Sequence, residues 1–195
     1  MNTPTHMLIG AVLFARRGRT RVNLAALAGG LLPDVGLFVL VWWSARIAGI
    51  DGHTVFSTLF FSESWQSVFA VDHSFFVWGG LLAIAQLRGL DVLRTFAGGG
   101  SAHAAVDFLT HNEDARRQFW PVSDWVFRSP VSYWDPSRYG GIVAPVEAGM
   151  VILMTALLLY RLRRSWERAL VLAIAAILIV PIAITGGFHG LHGMG

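Results

Sequence analysis

Three residues of metal-ligand type follow one another at intervals of four in the second half of the chain: His103, Asp107 and His111. In a helix of about 3.6 residues per turn, these positions stay within about 80° of one another and share one face. Imidazole nitrogens and carboxylate oxygens are ligands of zinc and other divalent ions. The spacing therefore predicts a divalent metal site on this helix, with zinc as the expected ion. His189 and His192 lie in a glycine-rich segment without such spacing, and their role stays open.

Other ionisable residues lie within or at the ends of apolar segments, where each costs roughly 2.5–3.5 kcal/mol on membrane-insertion scales. They are His6, Asp34, Asp72, His73 and Glu147. We expect His6, Asp34 and His73 to add metal ligands, because their side chains offer nitrogen or oxygen donors. Asp72 and Glu147 are the candidate catalytic residues, since a free carboxylate can accept a proton from an activated water molecule.

Each of these residues also has a structural interpretation. A single histidine in an apolar helix is more often a hydrogen-bonded core residue than a ligand. Pro33 can break its helix, and Asp34 would then cap the helix that restarts. Asp72 could instead ligate the metal or orient an imidazole. Glu147 could be a ligand, or an interfacial acid at a helix N-terminus.

The elements that must position these residues are apolar and helical. Of 195 residues, 54% are hydrophobic and only 14% are charged, whereas soluble domains carry about 25% charged residues. A helical span needs roughly 20 apolar residues. We therefore predict an all-α polytopic transmembrane helix bundle, residues 1–195 forming a single membrane domain, with five to six spans. The apolar segments are Met7–Ala15 (extended back to Thr3), Val22–Ala45, Val68–Leu87, Thr95–His111, Ile142–Tyr160 and Ala169–Thr185.

The arginines predict the orientation of these spans. The short linkers Arg16–Arg21, Arg88–Arg94 and Arg161–Arg168 carry four, two and four arginines. If six spans alternate, all three linkers face the cytoplasm, as the positive-inside rule requires. The acids and histidines then converge on the outer half of the bundle, with Asp34 near the middle. The arginines occur in clusters between apolar runs, so the net charge of +3 does not indicate a nucleic-acid partner.

One of the two longer connections is rich in aromatic residues. Residues Asn112–Gly141 include Trp120, Trp125, Tyr133 and Trp134. Aromatic side chains are typical of the membrane–water interface. We expect an extracytoplasmic loop that forms either an interfacial belt or a cap over the site. The glycine run at residues 98–100 predicts close helix packing.

The order of several motifs resembles a known family. Thr5-His6, Leu32-Pro33-Asp34, His73-Ser74 and His103-x3-Asp107 look like the small bacterial inner-membrane proteins described as membrane-bound metal-dependent hydrolases, also catalogued as a domain of unknown function. The resemblance covers roughly residues 3–121. It implies a metal role for the histidines and aspartates of these motifs. More distantly, His-x3-Asp on a helix resembles the all-helical zinc phospholipases C, which hydrolyse phosphodiesters.

These observations predict a membrane-embedded metal-dependent hydrolase of the bacterial inner membrane, multi-pass, with its site facing outward. A shallow outward-facing site suits a membrane lipid or a lipid-linked phosphoester as substrate. Two alternatives use the same residues: a metal, ion or proton transporter, and a non-catalytic scaffold whose polar groups hold helices together. The sequence does not determine the oligomeric state.

Overall fold

A computed structural model describes residues 1–185, with side chains described through residue 181. Every regular element in this part of the chain is helical. The α-helices are α1 (Thr3–Phe14), α2 (Thr20–Trp42), α3 (Gly52–Thr54), α4 (Glu63–Asp72), α5 (Phe75–Leu87), α6 (Asp91–Thr110), α7 (Gly140–Arg161) and α8 (Ser165–Thr185). Helices α2 and α3 continue into the π-helical turns Trp43–Ile47 and Val55–Leu59, and the 3-10 turn Pro136–Arg138 precedes α7.

Three helical stretches are long and apolar enough to cross a membrane: Thr20–Ile47, Glu63–Leu87 and Gly140–Arg161. At most about a third of the most apolar window in each is buried inside the protein. The remaining apolar surface faces outward, where lipid would cover it. The predicted all-helical fold is therefore confirmed for the described residues, and the three apolar stretches support the predicted membrane character. Helix α1 is apolar but has only 12 residues.

The structure adds local detail to these expectations. The predicted span Val68–Leu87 lies within the membrane-length stretch Glu63–Leu87. A turn at His73 and Ser74 divides that stretch into α4 and α5, and the Ser74 hydroxyl accepts hydrogen bonds from the first turn of α5 and caps it. The alternative interpretation, a helix break at Pro33 with Asp34 as the cap, does not hold, because α2 runs through Pro33 and Asp34 lies inside the helix. The other of the two longer connections predicted from the sequence, Arg46–Ser67, is largely helical, since it contains α3, a π-helical turn and the start of α4.

Helices α1, α2 and α6 pack on one another at close range through small residues. A Cβ atom on Gly10 of α1 would lie 2.6 Å from the carbonyl oxygen of Ala26 in α2, and one on Gly99 of α6 would lie 2.9 Å from the same oxygen. These distances leave no room for a side chain, so the backbones themselves are in contact. The packing role predicted for the glycine run is thereby confirmed.

The other helices flank this trio. Helix α5 packs on α6, α4 packs on α2, and α7 and α8 pack on α1. An apolar cluster that includes Leu8, Leu27, Val151, Leu158 and Ile174 joins α1 and α2 to α7 and α8. Although it is short, α1 is therefore surrounded by other helices, and this burial places Thr5 and His6 in the interior.

Candidate metal centre

Four side chains from three parts of the bundle converge at the end of α6. Asp34 comes from α2, His73 from the junction between α4 and α5, and His103 and Asp107 from α6. One ligand atom from each residue lies within 4.8 Å of the others. Both histidines and Asp107 are buried, whereas Asp34 retains 13% side-chain exposure. This buried cluster could bind a metal ion, and the predicted involvement of a metal therefore has structural support.

Hydrogen bonding fixes the orientation of the His103 ring. Its Nδ1 atom lies 2.8 Å from the carbonyl oxygen of Gly30. A carbonyl oxygen only accepts hydrogen bonds, so Nδ1 carries the proton. In the neutral ring, Nε2 then holds the lone pair, and it faces Asp107 Oδ2 at 3.1 Å and Asp34 Oδ1 at 3.5 Å. A backbone carbonyl that orients an imidazole in this way is typical of metal-ligating histidines.

The same arrangement recurs at His73. Its Nδ1 atom lies 3.2 Å from the carbonyl oxygen of Phe69, one helical turn earlier. Its Nε2 atom is buried without a hydrogen-bond partner among the described residues. That nitrogen lies 3.4 Å from Asp107 Oδ2 and 3.9 Å from Asp34 Oδ1, with geometry that does not make a hydrogen bond.

The donor set of this cluster fits a divalent cation. Two imidazole lone pairs and two carboxylates face one another, and all four groups are acceptors while the rings are neutral. Such a set requires either bound protons or a cation between its members. Two nitrogens and two carboxylate oxygens match the ligand types of zinc and related ions.

A second group of residues surrounds Asp107 on its Oδ1 side. This oxygen lies 2.9 Å from His6 Nε2, 3.0 Å from His111 Nε2 and 3.1 Å from the amino nitrogen of Met1. The His6 ring stacks on His103, with centroids 3.7 Å apart. His6 and His111 therefore border the cluster through Asp107, and their roles as ligands stay predictions.

Asp114 is a residue that the sequence reasoning missed. Its Oδ2 atom lies 2.7 Å from His111 Nδ1, although the N–H direction is poorly aligned with the oxygen. Burial alone would raise the pKa of Asp114, but His111 and the nearby charge of Arg116 lower it overall. Asp114 is thus an ionised carboxylate paired with His111, the kind of partner that ligating histidines commonly have. The signal was present in the sequence as an acid three residues after His111.

Tyr133 also borders the site. Its ring lies 5.0 Å from the His111 ring between centroids. Burial raises the pKa of the Tyr133 phenol, and the charges of Asp114, Asp107 and Asp34 raise it further. The phenol therefore stays protonated and can act as a hydrogen-bond donor. Only the aromatic richness of the loop pointed to this residue in the sequence.

The two candidate catalytic acids lie outside the four-residue cluster. Glu147 is fully buried and accepts hydrogen bonds from the backbone nitrogen of Asn2 at 2.8 Å, the Asn2 amide at 3.0 Å and the Thr5 hydroxyl at 2.5 Å. These contacts hold the first turn of α1, and with it His6. The buried Oδ2 atom of Asp72 has no hydrogen-bond partner among the described residues. A catalytic role for either acid stays a prediction.

A short hydrogen bond holds Asp34 in place. Its Oδ2 atom accepts from the Thr3 hydroxyl at 2.5 Å, which leaves Oδ1 facing the two histidines. The sequence reasoning missed Thr3, although it precedes the Thr5-His6 motif by two residues. His189 and His192 lie outside the described residues.

The fold and the cluster define a helical membrane protein with a buried aspartate–histidine site that could hold a metal ion. Comparison with known proteins adds no relative: no protein-family model, no curated sequence and no solved structure matches the chain.

Proposed function

We propose that this chain is a membrane-embedded metal-dependent hydrolase that acts on a lipid or lipid-linked phosphoester. The observation that carries the proposal is the clustering of four ligand atoms, two from imidazoles and two from carboxylates, within 4.8 Å of one another. These four donors are Asp34, His73, His103 and Asp107. Zinc is the ion we assign to them, because the set mixes nitrogen and oxygen donors in the number that a tetrahedral site uses.

A six-span topology is part of the proposal. Contacts made by residues of the arginine-rich linkers support it: Arg19 pairs with Asp91 at 2.8 Å, and Arg161 donates to the carbonyl oxygen of Val12, in the last turn of α1, at 2.5 Å. These contacts join the ends of α1, α2, α6 and α7 at one face of the bundle, which we assign to the cytoplasm. The metal cluster then belongs to the outer half of an inner-membrane protein, and α1, α6 and α8 complete the six spans.

The proposed reaction needs a metal ion that activates water and a base that accepts the proton of that water. A divalent ion in the cluster would polarise the phosphoryl oxygen and make a water molecule acidic enough to attack phosphorus near neutral pH. Asp72 is the candidate proton acceptor, because its buried Oδ2 atom is free of hydrogen bonds among the described residues. Glu147 is the alternative base, although its oxygens already accept three hydrogen bonds.

Packing of the aromatic connection after α6 supports a cap over the site. The backbone nitrogen of Ser129 donates to the carbonyl oxygen of His111 at 2.9 Å, and the backbone nitrogen of Tyr133 donates to the carbonyl oxygen of Thr110 at 3.1 Å. The Phe127 ring stacks on Phe108 of α6, with centroids 4.5 Å apart. We assign this segment the task of excluding water from the bound phosphoester.

The proposal is tested by hydrolysis in mixed micelles. Purified protein, either loaded with zinc or stripped by a chelator, is incubated with dioctanoyl phosphatidate and with a short polyprenyl diphosphate, and phosphate release is measured. We expect zinc-dependent release from at least one substrate and its loss in Asp107→Asn. Asp124→Asn is the matched control, because this aspartate is exposed. Zinc binding without hydrolysis, combined with zinc flux into proteoliposomes, would support transport and overturn the proposal.

A further inference from the structure

A buried arginine in the loop after α6 makes no salt bridge with the described residues, although its charge acts on the nearby carboxylate of Asp114. Arg116 retains 5% exposure, and its guanidinium lies over the rings of Phe60 and Phe69 at 4.8 and 4.5 Å from their centroids. Its Nε and Nη1 atoms are buried without a hydrogen-bond partner among residues 1–185. Leaving a buried guanidinium unsatisfied is costly, because its charge and its donors both lose water.

The neighbouring residue shows what a paired arginine looks like in this loop. Arg117 makes two hydrogen bonds to Glu63, each at 2.5 Å, and its side chain is 25% exposed. Arg116 thus differs from Arg117 in both burial and pairing. Two adjacent residues of the same type provide an internal comparison.

Arg116 is joined to the elements that carry the metal cluster through both its side chain and its backbone. Phe69, on which its guanidinium stacks, also supplies the carbonyl oxygen that orients His73. The Arg116 carbonyl oxygen accepts from the backbone nitrogen of Gln118, whose side chain donates to Ala104, the residue after His103. The loop therefore fixes Arg116 to the elements that carry two of the candidate ligands.

The free donors of Arg116 indicate what would complete this site. Its charge lies near the ionised carboxylate of Asp114, but its buried Nε and Nη1 donors still lack acceptor oxygens among the described residues. A planar guanidinium with free donors matches the oxygens of a phosphoryl group, to which arginine commonly makes two parallel hydrogen bonds.

We propose that Arg116 is a substrate-binding residue that takes the phosphoryl group of the substrate through its free Nε and Nη1 donors. This inference rests on the proposed function, which it deepens by assigning the residue that recognises the phosphate. A structural alternative exists, in which Arg116 only holds Phe60 and Phe69 together by cation–π contact.

The test compares Arg116→Met with Arg117→Met in detergent-purified, zinc-loaded full-length protein. Methionine keeps the length of the side chain and removes its charge. Binding of inorganic phosphate and of dioctanoyl phosphatidate is measured by isothermal titration, with dioctanoylglycerol as the uncharged probe. Zinc content and thermal unfolding without phosphate are measured on the same samples.

We expect Arg116→Met to bind the phosphoryl probes roughly 10- to 100-fold more weakly, the loss typical of a charge-assisted hydrogen bond. Zinc content should stay at the wild-type level, and stability without phosphate should not fall, because replacing a buried unpaired charge by an apolar side chain is neutral or stabilising. Arg117→Met should bind the probes as the wild type does. Weakened binding of both probes identifies the shared phosphoryl group, and weakened binding of phosphatidate alone identifies a lipid phosphoester.

Three outcomes would overturn the inference: unchanged affinity for the probes, equal weakening in Arg117→Met, or a loss of stability with unchanged binding, as the cation–π alternative requires. Loss of zinc from Arg116→Met would also overturn it, because the arginine would then be needed for the cluster itself. Failure of the proposed function gives a different result: zinc absent from the wild type, or phosphatidate bound through Arg116 but never hydrolysed.

Discussion

Replacing Gly30 by alanine tests how the centre is held together. A Cβ atom at Gly30 would lie 2.8 Å from both the His6 carbonyl carbon and the Met7 Cα atom. These are backbone atoms of α1, so a change of rotamer cannot relieve the clash, and α1 must move away from α2. The same residue supplies the carbonyl oxygen that orients His103. The substitution should therefore disturb both the packing of α1 and the metal site.

The size of this effect follows from two contributions. Overpacking of a tight contact costs typically about 1–3 kcal/mol, and weakening the buried hydrogen bond to His103 costs about 1–3 kcal/mol more. Alanine recovers up to about 1 kcal/mol through its higher helix propensity. We therefore expect Gly30→Ala to lose about 1–6 kcal/mol of stability. A Cβ atom at Gly79 of α5 would meet no atom within 4 Å, so Gly79→Ala is the matched control.

Thermal unfolding in detergent, followed by tryptophan fluorescence, would compare these two variants with the wild type. Gly30→Ala should unfold at a clearly lower temperature and purify with less metal. Gly79→Ala should match or exceed the wild type in both respects. Equal stability and equal metal content in the two variants would refute the close contact of α1 with α2 and its role in orienting His103.

Two other predictions concern the acids and the pH. Glu147→Ala should lower the unfolding temperature, because Asn2 and Thr5 lose the acceptor of three hydrogen bonds. The control Glu113→Ala, at an exposed acid, should leave the unfolding temperature unchanged. Equal unfolding temperatures in the two variants would contradict the anchoring of α1 by Glu147. Acidification from about pH 7.5 to about pH 4.5 should release the metal, because protons compete with it for imidazole nitrogens and carboxylates. Retention of the metal after dialysis at the lower pH would argue against histidine and aspartate as its ligands.

The apolar segments and the four-residue spacing on α6 could be predicted because they depend on local sequence. Helix existence follows from apolar length, and Asp107 shares a face with His103 through the helical period alone. Asp34 and His73 were expected to lie near His103 and Asp107, because the six-span topology places all four residues in the same part of the membrane. Similar depth alone does not specify which side chains are in contact. The interruption at His73 depends on the Ser74 cap, whose sequence signal is short and occurs inside an apolar run.

Other parts of the site could not be predicted, because they depend on contacts between residues far apart in the chain. Glu147 meets Asn2 across 145 positions, so only the packing of α7 on α1 explains its burial. The sequence does not distinguish Arg116 from Arg117. The two differ in burial and in ion pairing because the loop folds so that only Arg116 lies over Phe60 and Phe69.

The most direct test of the metal centre is elemental analysis of detergent-purified protein. The wild type should contain about one divalent ion or more per chain, and His103→Ala and Asp107→Ala should lose it. His53→Ala and Asp124→Ala, at exposed residues, should keep the wild-type content. A folded double variant of His103 and Asp107 that retains the full metal content would contradict the account.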